Sequence, residues 1–233
     1  MTDQPIEQPV PPEPKPVAPR SPQDQKMADR IADAREKILI VQADPELAER
    51  LSLRGFDAAR LTAGLDLQAA AQTAFTNRQT AMGEKDAANA AFAAAHAQCR
   101  QDYTDFRTTS RKVFKKDAAA QAALGVTGRL AADAQQLVTP ARASYNAALT
   151  APACLSELAL EGYPQPALQA LLAGLDALQD ANTRQDTARA AAMRATAVRG
   201  EADKALAEWR SRFNTAAAIA TRDRPDLSAK LGL

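Results

Sequence analysis

The chain has 233 residues, 46% of them hydrophobic but only 4% aromatic, and its 29 basic and 28 acidic residues leave a net charge of +1. Alanine makes up roughly a quarter of it, well above ordinary usage, so apolar surface must be buried by close helix approach, because bulky side chains are scarce. The charge balance argues against a dedicated nucleic-acid binder, which would need an excess of positive charge. Two cysteines, Cys99 and Cys154, are too few for a disulfide framework and read as small hydrophobes in helices.

Residues 1–22 hold eight of the fourteen prolines, including the run Pro-Pro-Glu-Pro-Lys-Pro. Proline fixes φ and lacks an amide donor, so this stretch is expected to be a disordered tail, with transient polyproline II. The start of the chain has neither the basic nor the apolar region of a signal peptide. The longest aliphatic run, Ile38–Val41, is far too short to span a membrane, and a cytoplasmic protein is expected.

A first helix of about 20 residues follows, with Met27, Ile31, Ala34, Ile38 and Val41 at helical spacing on one face. Asp44-Pro45 reads as an N-cap with proline in the first turn of a short helix, and Gly55 suits its left-handed end. No proline interrupts residues 46–139, and a very long helix is predicted near 58–117. In the second half the first-helix stripe is Leu130, Ala134, Leu137, Ala141 and Tyr145, with a kink expected at Pro140. A short helix ending at Gly162 and a second long helix near 166–221 complete the chain. The long helices are apolar-striped at their ends, by Phe92, Ala95, Cys99, Phe106 and Val113 or by Leu168, Leu171, Leu175 and Leu178, and alanine-rich between. No segment reads as a strand.

The two halves match when offset by 107 residues. Pro45 then lies over Pro152, Leu51 over Leu158, Gly55-Phe56 over Gly162-Tyr163, Phe106 over Phe213, and Leu124-Gly125-Val126 over Leu231-Gly232-Leu233. The expected architecture is all-α: one domain over 24–233, built of repeats 24–126 and 131–233, as an internally duplicated antiparallel four-helix bundle with two very long helices and short accessory helices.

Catalytic and metal signatures are missing from the sequence. His96 is the only histidine, so neither a di-iron Glu-x-x-His pair nor a Cys/His zinc cluster can be assembled. There is no Gly-rich phosphate loop. No cofactor and no catalytic residue are therefore expected. Arg184, Arg189, Arg194 and Arg199 spiral around their helix and read as solvation. One basic cluster stands out, Arg107, Arg111, Lys112, Lys115 and Lys116, preceded by Tyr103 and Phe106. It suits a helix C-terminus and is also the candidate patch for an anionic partner.

The closing Pro225-Asp226-Leu227-Ser228-Ala229-Lys230-Leu231-Gly232-Leu233, after Trp209 and Phe213, together with Ala141-Arg142-Ala143-Ser144-Tyr145, resembles a family of uncharacterised bacterial long-helix proteins. Those end in a Pro-x-Leu-x-x-x-Leu-Gly-hydrophobic motif. The resemblance implies the helical fold and brings no activity. The function expected is a non-catalytic interaction or scaffold protein with a protein partner; the alternative is a peripheral binder of an anionic surface, lipid or nucleic acid, through amphipathic helices and the 107–116 cluster.

Overall fold

The computed structural model describes residues 22–128 and 133–233, and every regular element among them is an α-helix. In chain order these are α1 (Pro22–Ala43), α2 (Pro45–Ser52), α3 (Ala58–Val113), α4 (Ala118–Ala123), α5 (Ala134–Thr150), α6 (Pro152–Leu160), α7 (Gln165–Ala220) and α8 (Pro225–Lys230). The tail reading of residues 1–21, and Leu130 of the second first-helix stripe, lie outside the described residues. Helix α1 begins at Pro22, within the stretch read as tail, where proline is tolerated because the first-turn amides have no helical partner.

Local chemistry sets the helix ends. Asp44 caps α2, its Oδ1 accepting from the amides of Glu46 at 3.2 Å and Leu47 at 3.3 Å. Gly55 and Gly162 close α2 and α6 with φ of 81° and 91°, a conformation that costs glycine little. The first long helix stops at Val113, four residues before the expected 117. There Asp117 starts a new helix, accepting the Ala120 amide at 2.8 Å. Both α3 and α7 are single helices of 56 residues that continue through Gly83 and Gly200, and α5 continues through Pro140.

The chain divides into two compact units, and each draws on both halves of the sequence. One combines the described residues up to 72 with 201–233; the other is 73–200. The only tryptophan, Trp209, lies in the first, and the three tyrosines, Tyr103, Tyr145 and Tyr163, lie in the second. We call them the tryptophan unit and the tyrosine unit.

In the tryptophan unit, α3 and α7 run antiparallel. Phe56 meets Phe213 edge-on at 5.5 Å, and a turn or two further along α3 Gly64 meets Trp209, whose Nε1 donates to the Arg60 carbonyl at 3.3 Å. Helix α1 lies alongside α7, through Arg30–Asp203 at 2.9 Å, Asp33–Arg210 and Lys37–Asn214 at 3.2 Å. Its predicted face, Met27, Ile31, Ala34, Ile38 and Val41, is buried. Helices α2 and α8 are tied by Lys230–Asp44 at 2.7 Å and Arg224–Glu46, and Arg50 reaches Asp223 at 2.8 Å.

In the tyrosine unit α3 and α7 again run antiparallel, marked by Asn89–Gln185 at 3.0 Å and by the Cys99 thiol donating to the Gly174 carbonyl at 3.4 Å. Helix α5 supplies Tyr145, which packs edge-on against Tyr103 and Phe106, and Ser144, whose hydroxyl shares a 3.0 Å hydrogen bond with that of Tyr103. Phe106 also meets Tyr163 edge-on at 5.4 Å. Leu124 after α4 and Leu231 after α8 are both buried.

Candidate functional site

The basic cluster predicted near the end of α3 divides by role. Arg107 is buried and its Nη2 donates to the carbonyls of Gly128 at 2.6 Å, Val126 at 3.2 Å and Thr127 at 3.3 Å. Arg111 reaches the same turn, through Nε to Val126 at 2.6 Å and Nη2 to Gly128 at 2.9 Å. The chain after α4 has left helical pairing there, so its carbonyls need donors, and two forked guanidiniums supply them. Burial, and then the neighbouring Arg111, pull the Arg107 pKa below its usual value. These two arginines therefore hold the end of α4.

Lys112, Lys115 and Lys116 are exposed, with Lys112 Nζ 4.0 Å from Glu161. They are the part of the cluster open to an anion. The two aromatics beside them are not: Phe106 and Tyr103 are buried in the core and cannot stack on a base.

The groups able to do nucleophilic or acid–base chemistry sit as follows. His96 is half-buried and stacks on Phe92 with ring centroids 6.1 Å apart, its Nε2 buried without a hydrogen-bond partner among the described residues. Cys99 is buried against Gly174, and burial raises its thiol pKa, as it does for the half-buried Cys154. A thiol of raised pKa stays protonated and is a poor nucleophile. Burial likewise pushes up the phenols of Tyr145 and Tyr163. No group of three or more metal-ligating side chains gathers among the described residues.

Two of the clefts among the described residues are lined by an aromatic ring. A cleft of about 260 Å³ in the tyrosine unit has an apolar floor of Phe92, Val138 and Leu178 under the neutral side chains of Thr139, Gln179, Asn182 and Thr183. In the tryptophan unit a groove of about 410 Å³ runs between the α2–α3 turn and α7, with Arg54, Arg60 and Arg212 around it. Sequence reasoning passed over this second feature. Arg54 and Arg212 are far apart in the chain, and neither belongs to a local run of basic residues, so no spacing signals it.

The long helices carry a third feature. Between Phe75 and Cys99 of α3 only Ala81 is buried, and between Leu178 and Gly200 of α7 only Ala192. Over this stretch of the tyrosine unit the outer faces are open, and Met193 and Val198 are exposed. No helix among the described residues is long and apolar enough to cross a membrane. The chain matches no family model, no curated protein sequence and no solved structure.

Proposed function

We propose that this chain is a non-catalytic helical interaction or scaffold protein that presents its long helices to a protein partner. The observation that carries this reading is the open stretch of α3 and α7, where thin burial leaves Met193 and Val198 facing outward on regular helices. An amphipathic partner helix would dock on such a face through apolar anchors at helical spacing. A second reading, a peripheral binder of an anionic surface, draws on the exposed Lys112, Lys115 and Lys116. Its electrostatic side is reduced by the use of Arg107 and Arg111 inside the fold.

An internal duplication fits with the scaffold reading. In support, the helix lengths repeat as 22, 8, 56 and 6 residues and then 17, 9, 56 and 6. The ring pairs Phe56–Phe213 and Tyr163–Phe106 also exchange partners under the 107-residue offset. Under this proposal α1, α3, α5 and α7 form a duplicated antiparallel bundle whose two very long helices are α3 and α7, and the Pro225-x-Leu227-x-x-x-Leu231-Gly232 motif ends the second repeat, with Leu124-Gly125 as its counterpart in the first.

The test is affinity capture with the full chain against a Met193→Asp, Val198→Asp variant, run beside co-sedimentation with anionic vesicles. The scaffold reading predicts a partner captured by the native chain and lost from the variant, with weak vesicle binding. Strong vesicle binding that fades with salt would replace it with the surface-binding reading.

A further inference from the structure

The groove in the tryptophan unit carries a charge that the fold does not use. Arg54 and Arg212 are exposed and neither makes an ion pair among the described residues. Arg60 is placed by the fold, its Nη1 donating to the Gly55 carbonyl at 3.1 Å and its guanidinium 4.7 Å above the Phe56 ring. Its side chain also lines the groove. The lining contains no carboxylate; its remaining polar groups are the hydroxyls of Ser211 and Thr215. Beneath them lie Phe56 and Ala216, both buried, with Ile219 at the rim.

The corresponding positions beside the other core show that this charge is not a requirement of the helix packing. Arg54 precedes the left-handed Gly55 and the ring of Phe56; Glu161 precedes the left-handed Gly162 and the ring of Tyr163. Arg212 precedes Phe213, and Asp105 precedes Phe106. The same turn and the same ring pair are thus flanked by arginines in one unit and by carboxylates in the other. Three guanidiniums around one apolar floor, in a chain of net charge +1, are a local concentration and not a general basicity.

We propose that this groove binds an acidic segment of a protein partner, its carboxylates on Arg54, Arg60 and Arg212 and one apolar side chain on the floor formed by Phe56 and Ala216. The proposal rests on the scaffold reading and names its partner chemistry. Guanidinium forks match carboxylates in bidentate geometry, and the Ser211 hydroxyl adds a donor, that of Thr215 being given to the Ser211 carbonyl. The recessed floor favours a peptide over a membrane surface. An interfacial helix inserts protruding apolar side chains into lipid, whereas here Phe56 is 3% exposed and Ala216 8%, below the level of the arginines. Peptide recognition of this kind combines charge pairing at a rim with one buried anchor.

The experiment is fluorescence anisotropy of the full-length protein with a fluorescein-labelled dodecapeptide in which a single phenylalanine is flanked by glutamates. A lysine-for-glutamate peptide and a serine-for-phenylalanine peptide serve as controls. Saturable binding of the first peptide, weakened by salt and at least tenfold weaker for both controls, is expected. The double variant Arg54→Glu, Arg212→Glu should lose at least tenfold in affinity with unchanged helical circular dichroism. If that variant does not fold, Arg212→Gln alone is read, with a threefold or greater loss expected. Replacing Lys112, Lys115 and Lys116 by Gln should leave affinity within twofold.

Three results overturn the proposal: no saturable binding by the native chain, equal binding by the native chain and the arginine variants, or a loss confined to the lysine variant. Arginine-dependent binding to phosphatidylserine vesicles without peptide binding would assign the groove to a membrane instead. None of these results removes the partner face at Met193 and Val198, so failure of this proposal is separable from failure of the scaffold reading.

Discussion

The tryptophan and tyrosine units use a similar helix plan and close it with different chemistry. In the tryptophan unit the centre is built of rings without hydroxyls: Trp209 stacks on Phe213 at 5.2 Å and Phe56 meets both rings edge-on. Apart from Arg60, whose carbonyl accepts from Trp209 Nε1 and whose guanidinium lies over the Phe56 ring, its polar contacts are mainly ion pairs outside the aromatic centre. In the tyrosine unit the rings carry hydroxyls, Tyr103 bonds Ser144 inside the core, and Arg107 is drawn in to satisfy carbonyls. The helix plan therefore depends on where the rings sit and not on one polar scheme. The polar groups are free to differ, and the arginine groove beside Phe56 is one place where they do.

Truncating one ring in each unit should produce the largest and most nearly equal effects. Phe106 and Phe213 are both 0% exposed, and emptying such a site costs about 3–5 kcal/mol. In urea, Phe213→Ala is expected to lower the midpoint reported by Trp209 fluorescence, and Phe106→Ala the midpoint reported by the tyrosine near-ultraviolet signal. A large loss at one position and none at the other would end the equivalence of the two cores.

A smaller effect separates the units. A methyl group on Gly64 would sit 2.3 Å from the Trp209 ring, whereas one on Gly174 would meet its nearest neighbour, the Cys99 sulfur, at 4.0 Å. Gly64→Ala should cost about 1–3 kcal/mol through overpacking and shift the Trp209 emission. Gly174→Ala should be neutral or stabilising by up to about 1 kcal/mol, the helix-propensity difference. Equal effects in thermal melts would mean that the tryptophan ring does not rest on bare backbone.

Much of this was legible from the sequence, for physical reasons that differ by feature. The ends of α2 and α6 follow from Asp44-Pro45, Gly55 and Gly162, because caps and left-handed turns are local. The stripe on α1 follows from 3–4 spacing. The two compact units, by contrast, cut across the expected repeats 24–126 and 131–233. Periodicity shows which face of α7 is apolar but not which neighbour it meets, so the pairing of Trp209 with Gly64 has no local signal. The division of the basic cluster at 107–116 had no local signal for a similar reason. Arg107 and Arg111 find their carbonyls 15–21 residues further on, beyond any pattern within the helix.

Acid gives the smallest and most local contrast. The Arg224 side chain holds Asp226 down to about 2 from 3.8, and Lys230 and Arg50 lower Asp44 and Asp223 from the same starting value. These carboxylates have folded pKa values below their unfolded ones. Their contribution is complete above about pH 4 and is lost as pH falls toward 2. All three lie in the tryptophan unit, Asp223 and Asp226 exposed and Asp44 half-buried, so a modest fall in its Trp209-reported melting temperature is expected across that window. Arg224→Gln should flatten the fall, and an unchanged slope in that variant would detach the ion pairs from the acid response.

Amide hydrogen exchange on the full chain addresses the central claim, that each unit has a packed core and that the tyrosine unit also carries an open helical face. Amides around Phe106 and Phe213 should exchange slowest, through opening of the cores. Those of residues 82–98 in α3 and 179–199 in α7, where burial is thin, should exchange at least tenfold faster while remaining helical by circular dichroism. Uniform slow exchange along both long helices would contradict the account, since the stretch assigned to a partner would already be covered in the free protein.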